Sequence, residues 1–336
     1  MVNINLNNKH HSKRQGTQSA SSGMNKKYNA VFFGTPDFAV PVMESIIKLP
    51  YLDLKAVVTQ PDKPVGRKQE LTAPSVKTVA LDKNILILQP EKIKGAEFEQ
   101  EFRKLDPDVA IIVAYGKIIP PNLLDIPKYG FLNIHASLLP KYRGASPIQS
   151  AILEGEKETG VTLMKIDAGL DTGLRISQKG INIESNDNFK TLHEKLSQLG
   201  AELLEESLGD YLANKINPIP QNDYQATMTK IIQKEDGRIN WSTSAKHIER
   251  QIRAFAPWPG AYCFYNEKRL KIIATTLSNR NDNLEPGKID SSKELVIVGC
   301  GKGNLELKIV QLEGKKPQPI SEFRSGHPEF IDSKLE

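Results

Sequence analysis

Phe131-Leu-Asn-Ile-His-Ala-Ser-Leu-Leu-Pro-Lys-Tyr-Arg-Gly144 joins a short apolar run to a loop punctuated by proline and glycine. If the run Phe131–His135 is a strand, residues two apart share a face, with Cα atoms about 6.5 Å from each other. Asn133 and His135 then hold one small group between them at a strand end, and Ser137–Pro140 form a wall beside it.

Working outward, similar apolar runs occur at Ala30–Gly34, Leu54–Gln60, Ile85–Gln89 and Val109–Tyr115. Helical patterns fall between them, at 37–48, 74–82 and 96–105. This alternation predicts an α/β domain with an open, mainly parallel sheet covered by helices on both faces. Gly160–Ile166 and Leu174–Ile183 are separated only by Asp167–Gly173 and read as an antiparallel pair. A helix over 188–212 closes the domain, with Leu192, Leu196, Leu199, Leu203 and Leu204 at the spacing of a core-facing stripe.

Four segments follow: a basic tail over 1–27, a first domain over 28–212, a polar linker over 213–232 carrying Pro218 and Pro220, and a C-terminal domain over 233–336. The last begins with a helix over 244–255 that Pro257-Trp-Pro-Gly260 ends, and its short runs Ala261–Tyr265, Leu270–Thr275, Leu295–Gly299 and Leu305–Gln311 predict a small β-barrel. Trp258 is expected in core or interdomain packing.

The formal charge of +5 is no sign of a nucleic-acid partner. Lys9, Lys13, Arg14, Lys26 and Lys27 stand in the tail without an acid, so the rest of the chain is neutral. The tail is poor in large apolar side chains and is expected to be disordered, with Met24 a possible true start. No apolar stretch approaches the ~20 residues of a membrane span. Cys263 and Cys300 lack metal-ligand spacing, and two reduced thiols in a cytoplasmic protein are expected.

The first strand ends in Phe33-Gly-Thr-Pro-Asp-Phe38, where a dinucleotide-binding fold carries G-x-G-x-x-G. Pro36 blocks the close glycine-lined approach of a pyrophosphate, which disfavours a nicotinamide enzyme. The turn reads as structural, with Asp37 as the N-cap of the next helix.

Asp171, in Asp167-Ala-Gly-Leu-Asp-Thr-Gly173, is the natural third member for the pair on the strand. An amide and an imidazole stabilise a developing oxyanion, and a carboxylate orients the ring or relays a proton. That set suits acyl transfer to an amine by direct attack, since no serine or cysteine is placed as a nucleophile. The plain alternative stands beside it: a satisfied polar histidine and an ordinary Asp/Gly turn.

Asn133-x-His135, Ser137-Leu-Leu-Pro-x-Tyr-Arg-Gly144 and Gly169-x-Asp-Thr-Gly173 together resemble the folate-dependent formyltransferase family. The resemblance runs from about Asn29 to Phe330. It includes Phe33-Gly-Thr-Pro-Asp-Phe38, Thr59-Gln-Pro-Asp-Lys-Pro-x-Gly-Arg67, Val113-Ala-Tyr-Gly-Lys117, Gly144-Ala-Ser-Pro-Ile-Gln149 and Arg253-Ala-Phe-x-Pro-Trp-Pro-Gly260. It implies a Rossmann-like formyltransferase fold with a C-terminal OB-like β-barrel. The implied donor is 10-formyltetrahydrofolate and the implied acceptor is the α-amino group of methionine on initiator tRNA, without a metal, in a cytoplasmic enzyme expected to be monomeric.

By the same resemblance Asn133, His135 and Asp171 are catalytic, and Ser137, Leu138, Leu139 and Pro140 contact the folate. The loop Gln60–Pro74, longer than the usual 2–6 residues or so, would meet the tRNA through Arg67 and Lys68, although Gln69 and Glu70 interrupt the basic run. Lys268, Arg269 and Lys271 would add tRNA contacts from the C-terminal domain. Rival readings are a formyltransferase of small amines, a formyl-folate hydrolase, and a non-catalytic RNA-binding protein.

Overall fold

The computed structural model describes residues 27–66, 69–280, 284–292, 295–331 and 333–336. Arg67, Lys68 and all of the tail but Lys27 lie outside them.

The first domain's strands are β1 (Tyr28–Gly34), β2 (Leu52–Val58), β3 (Lys63–Val65), β4 (Glu70–Thr72) and β5 (Ile87–Leu88). They continue with β6 (Val109–Val113), β7 (Phe131–His135), β8 (Arg143–Gly144), β9 (Glu158–Lys165) and β10 (Arg175–Asn182). Its helices are α1 (Val40–Lys48), α2 (Ser75–Asp82), α3 (Ala96–Lys104), α4 (Pro121–Leu124), α5 (Pro147–Glu154) and α6 (Phe189–Leu212). The main sheet has the order β10-β9-β7-β6-β1-β2-β5. It is parallel from β5 to β7 and antiparallel over β7, β9 and β10.

Sequence patterns explain this layout. Val109-Ala-Ile-Ile-Val113 is buried along its whole length, as a parallel strand covered on both faces should be. β10 instead alternates half-buried and exposed residues over most of its length, as an antiparallel strand with one wet face does. Period-2 alternation in β1 sends Ala30 and Phe32 to the core under α1 and α6, and Val31 and Phe33 to the aromatic core with Phe102 and Phe131.

Helix α6 begins with a capping box: Asn188 Oδ1 accepts from Thr191 N at 3.1 Å, and Thr191 Oγ1 accepts from Asn188 N at 3.0 Å. Its leucine stripe is buried as its spacing predicts. Gly200 lets this helix approach β7, since a Cβ there would lie 2.9 Å from Ile134.

The segment after α6 packs against the first domain, and its β11 (Met228–Thr229) runs parallel to β8. The C-terminal domain holds α7 (Ala245–Phe255), β12 (Tyr262–Tyr265), β13 (Lys268–Leu277), β14 (Ile289–Ser292), β15 (Leu295–Gly299), β16 (Asn304–Leu312), β17 (Gln318–Pro319) and α8 (Ile320–Gly326). The expected OB-like barrel takes the form of a curled antiparallel sheet in the order β12-β13-β16-β15-β14, with β17 beside β16. Among the described residues β12 and β14 do not pair, so the barrel is open.

Two local expectations are corrected. Asp37 is the first residue of a short 3-10 turn, Asp37–Ala39, and not a helix N-cap. Trp258 is 58% exposed and not interior; backbone closes its turn, with Gly260 N donating to Phe255 O at 2.9 Å.

Candidate active site

Strand order reverses at β1, because the chain builds outward to β2 and β5 and then returns to β6 on the other side. Ligands of open α/β sheets bind outside the carboxyl ends of strands at such a switch point. A cavity of about 630 Å³ lies there and is within the range of small-molecule sites, roughly 300–1,000 Å³.

Four loops line it. Pro36 and Phe38 come from the turn after β1, Ala114–Ile119 follow β6, Gly144 and Ala145 come from the connection between β7 and α5, and Asp167–Asp171 join β9 to β10. Asn133 and His135 reach it from β7, and Phe189 and His193 from the start of α6. The turn after β1, read from the sequence as structural, is thus part of the cavity wall.

Asn133 and His135 share one face of β7, as their spacing requires. His135 is buried, with Nε2 2.9 Å from Tyr142 O and Nδ1 3.6 Å from Asp171 Oδ2. A carbonyl only accepts, so Nε2 is the nitrogen that donates to Tyr142 O, and Nδ1 is the nitrogen that faces the carboxylate. Asp171 Oδ2 also accepts from Gly144 N at 2.8 Å. The backbone of Asp171 is left-handed, with φ +53°.

Tyr142 presents that carbonyl from its own left-handed conformation, φ +60°. Its hydroxyl donates to Glu156 Oε1 at 2.7 Å. Burial first, then the Glu156 carboxylate, pushes the phenol above its ordinary range, so it stays a donor.

The Ser137–Pro140 segment does not line the cavity with the trio. Ser137 is buried and its hydroxyl donates to Lys141 O at 2.6 Å; Thr162 Oγ1 accepts from Leu139 N and donates to Ser137 O. Leu138, Leu139 and Pro140 border a second cavity with Glu156, Glu158 and Arg175. The chain leaves β7 in a tight turn whose hydrogen bonds direct these residues away from the Asn133 face.

Ala114–Lys117 and Asp167–Leu170 are the lining that reasoning from the sequence left without a role. The signal was present in Gly116 at a strand end, where φ is +83° and Tyr115 O is held by Thr35 Oγ1 at 3.0 Å and Gln60 Nε2 at 3.1 Å. Tyr115 points its hydroxyl inward with no partner among the described residues, and burial pushes its pKa up to about 12.

In the loop Gln60–Pro74, β3 and β4 form a small antiparallel hairpin with exposed residues around the two undescribed basic positions. The C-terminal cluster divides between faces. Arg269 and Lys271 lie opposite Phe264 and Tyr262 in register, whereas Lys268 lies opposite Tyr265. The Arg269 guanidinium stacks 3.6 Å from the Tyr262 ring centroid, and Arg238 sits 5.4 Å from that of Phe264.

The family "Formyl transferase" matches residues 27–208, and "Formyl transferase, C-terminal domain" matches residues 231–328. Fold and site thus define the class, a formyltransferase. The methionyl-tRNA formyltransferase of Caldanaerobacter subterraneus subsp. tengcongensis is 47% identical over 298 residues, covering 88% of this chain and 96% of that one. That of Thermodesulfovibrio yellowstonii is 48% identical over 296 residues, covering 88% and 95%. The chain belongs to the methionyl-tRNA formyltransferase family.

Among solved structures, the N-formyltransferase of Helicobacter canadensis in complex with folinic acid and dTDP-3-aminofucose superposes with TM-score 0.63 at 23% identity, over 84% of this chain and 98% of that one. The methionyl-tRNA formyltransferase of Clostridium thermocellum gives 0.51 at 17%, over 75% and 94%. Both likenesses concern the fold.

Proposed function

We propose that the chain transfers the formyl group of 10-formyltetrahydrofolate to the α-amino group of methionyl initiator tRNA, with Asn133, His135 and Asp171 as the catalytic groups. The observation that carries this reading is the meeting of an amide, an imidazole and a carboxylate at one wall of the cavity. The cavity takes the flat pterin, because its lining is mostly apolar with few polar anchors. Ser137, Leu138, Leu139 and Pro140 serve the folate from behind, by holding the turn that carries Tyr142.

The amine nitrogen attacks the formyl carbon as a free base. Asn133 donates to the oxygen as it becomes an oxyanion, a contribution of ~10²–10³ in rate for one such donor. The proton leaving the amine passes to Nδ1 of His135, beside the Asp171 carboxylate that supports the imidazolium. The C–N10 bond then breaks, the carbonyl re-forms, and N10 takes the proton to give tetrahydrofolate and the formylated amine.

The tRNA is engaged by Arg67 and Lys68 of the Gln60–Pro74 loop and by the basic and aromatic face with Arg269 and Lys271. Lys268 adds charge at its edge. Arginine suits this role because a planar guanidinium engages phosphate bidentately and stacks on unpaired bases. We place the reaction in the cytoplasm, where translation starts, with a monomer as the working unit.

The test supplies 10-formyltetrahydrofolate with Met-charged initiator tRNA, Met-charged elongator tRNA or a small amine. Formylation of initiator tRNA well above the others is expected. Equal rates on the two tRNAs would defeat the initiator reading, and formylation of the small amine alone would move the chain to the rival class.

A further inference from the structure

We propose that Gln221 is a positioning residue for formyl transfer, and that the segment between the domains is a strap holding the Asp171 loop in its working geometry. This rests on the reading of Asp171 as a catalytic group.

The strap grips both loops that build the carboxylate–imidazole pair. Ile219 and Arg175 exchange backbone hydrogen bonds at 2.8 Å in each direction. Further on, Thr227 O accepts from Arg143 N at 2.9 Å, and Thr227 Oγ1 accepts from Tyr142 N at 2.8 Å. Thr229 Oγ1 accepts from Ser146 N and donates to Arg143 O, both at 3.1 Å. The carbonyl that holds His135 and the amide that holds Asp171 therefore both belong to a loop tied to the strap.

Gln221 makes the direct link to Asp171. Its Nε2 donates to Asp171 O and Gly173 O, each at 2.8 Å. Its Oε1 accepts from Arg143 Nε at 3.0 Å and Nη2 at 2.9 Å. Both N–H donors meet acceptors and the oxygen meets a donor fork, so the carboxamide has one satisfied orientation. Arg143 is itself buried and paired with Asp223 at 2.7 Å.

These bonds close a ring around the carboxylate. Gly144 N holds the side chain of Asp171 while Gln221 holds its backbone, and Arg143 connects the two holders. The left-handed backbone of Asp171 needs such support, being sparsely populated for a non-glycine residue. Alanine at 221 would remove both donors. Glutamate would keep the partner of Arg143 but set a carboxylate oxygen against two carbonyl oxygens. Past residue 232 the strap runs into the C-terminal domain.

The test is steady-state kinetics with methionyl-tRNA and 10-formyltetrahydrofolate on the full chain and on Gln221→Ala, Gln221→Glu, Asp171→Asn and the double variant Gln221→Ala/Asp171→Asn. Each Gln221 variant should lose about ten- to a hundredfold in kcat, the scale of a misplaced reacting group. KM for both substrates should stay within about threefold, as for an interaction made in the transition state. The double variant should be no slower than Asp171→Asn, because a residue acting through Asp171 has nothing left to position.

Unchanged kcat in either Gln221 variant overturns the proposal, as does a loss confined to the tRNA KM, which would make the strap an RNA contact. Losses that multiply in the double variant also overturn it. Full activity of Asp171→Asn would instead remove the catalytic reading itself, whatever Gln221 does.

Discussion

Asp171 Oδ2 lies 3.6 Å from His135 Nδ1, and the same oxygen takes the Gly144 amide at 2.8 Å. The carboxylate is therefore anchored by a backbone donor while it faces the ring across a gap that a proton arriving on Nδ1 would shorten. Asp171→Asn keeps the shape and removes the charge. Turnover is expected to fall at least about 10³-fold, the scale seen when the carboxylate behind a catalytic histidine becomes an amide. Folate affinity, measured by equilibrium titration, should change little; a large loss of affinity would contradict the role.

Gly144 occupies a position where the strap leaves no room. With φ +109°, a Cβ there would lie 2.8 Å from Thr229 O. Gly144→Ala should destabilise the protein by about 1–3 kcal/mol through backbone strain and overlap, read as a lower midpoint in urea unfolding. It should also slow turnover, because the Gly144 amide is the one that holds Asp171.

Asp187, just ahead of α6, is a buried carboxylate with a full set of partners. Lys195 Nζ reaches both its oxygens at 2.8 Å, and Glu184 N and Thr191 Oγ1 donate as well. Burial pushes its pKa up, but Lys195 and the two other donors together outweigh that and hold it below the ordinary carboxylate range. A lowered folded-state pKa means that the stabilisation is complete above the unfolded value near 4 and is lost as pH falls through the folded value. Asp187→Asn should cost about 1–3 kcal/mol at pH 7 by leaving hydrogen-bond partners unsatisfied. That difference should shrink below pH 4, and a gap of constant size from pH 7 to pH 3 would refute the assignment.

Arg253 carries the neighbouring contact between domains. From α7 it donates to Asp187 O at 2.7 Å while its Nε pairs with Glu249 at 2.6 Å. Arg253→Ala should loosen α7 from the start of α6, raising amide exchange over Phe189–His193 and lowering the unfolding midpoint. Lysine at 253 should restore only part of this, since it lacks the fork that serves both partners.

Arg67→Ala should raise the KM for methionyl-tRNA about tenfold or more, as for a lost charge-assisted contact. The folate KM should remain near the parent value, and parallel loss in both would count against the Gln60–Pro74 loop as an RNA contact. The tRNA effect should diminish with rising salt, because phosphate contacts release counterions.

Much of the fold was legible in local patterns. The alternation of apolar runs with helical stretches gave the α/β class, and the leucines from Leu192 to Leu204 gave α6. The pairing of Asn133 with His135 followed from a two-residue repeat that holds in any strand. What failed was local too: nothing in Pro257-Trp-Pro-Gly260 tells which way the indole turns, and Asp37 looks like an N-cap unless the 3-10 turn is seen.

The wall formed by Ser137–Pro140 shows the boundary well. Adjacent numbers suggest a common face with His135, but the hydrogen bonds of Ser137 and Leu139 to Lys141 and Thr162 turn the segment toward another cavity. Likewise, a polar stretch with two prolines reads as a linker, and only its bonds to Tyr142, Arg143 and Asp171 make it a strap.

By itself, then, the sequence determined the elements, the face shared by Asn133 and His135, and the family. Those depend on periodicity and on words of a few residues, which act over short distances along the chain. Tertiary structure alone decided that Asp171 meets His135, that four separate loops line one cavity, and that Gln221 holds the carboxylate's backbone. Those contacts join residues far apart in the chain, and their geometry exists only once the sheet has brought the strand ends together.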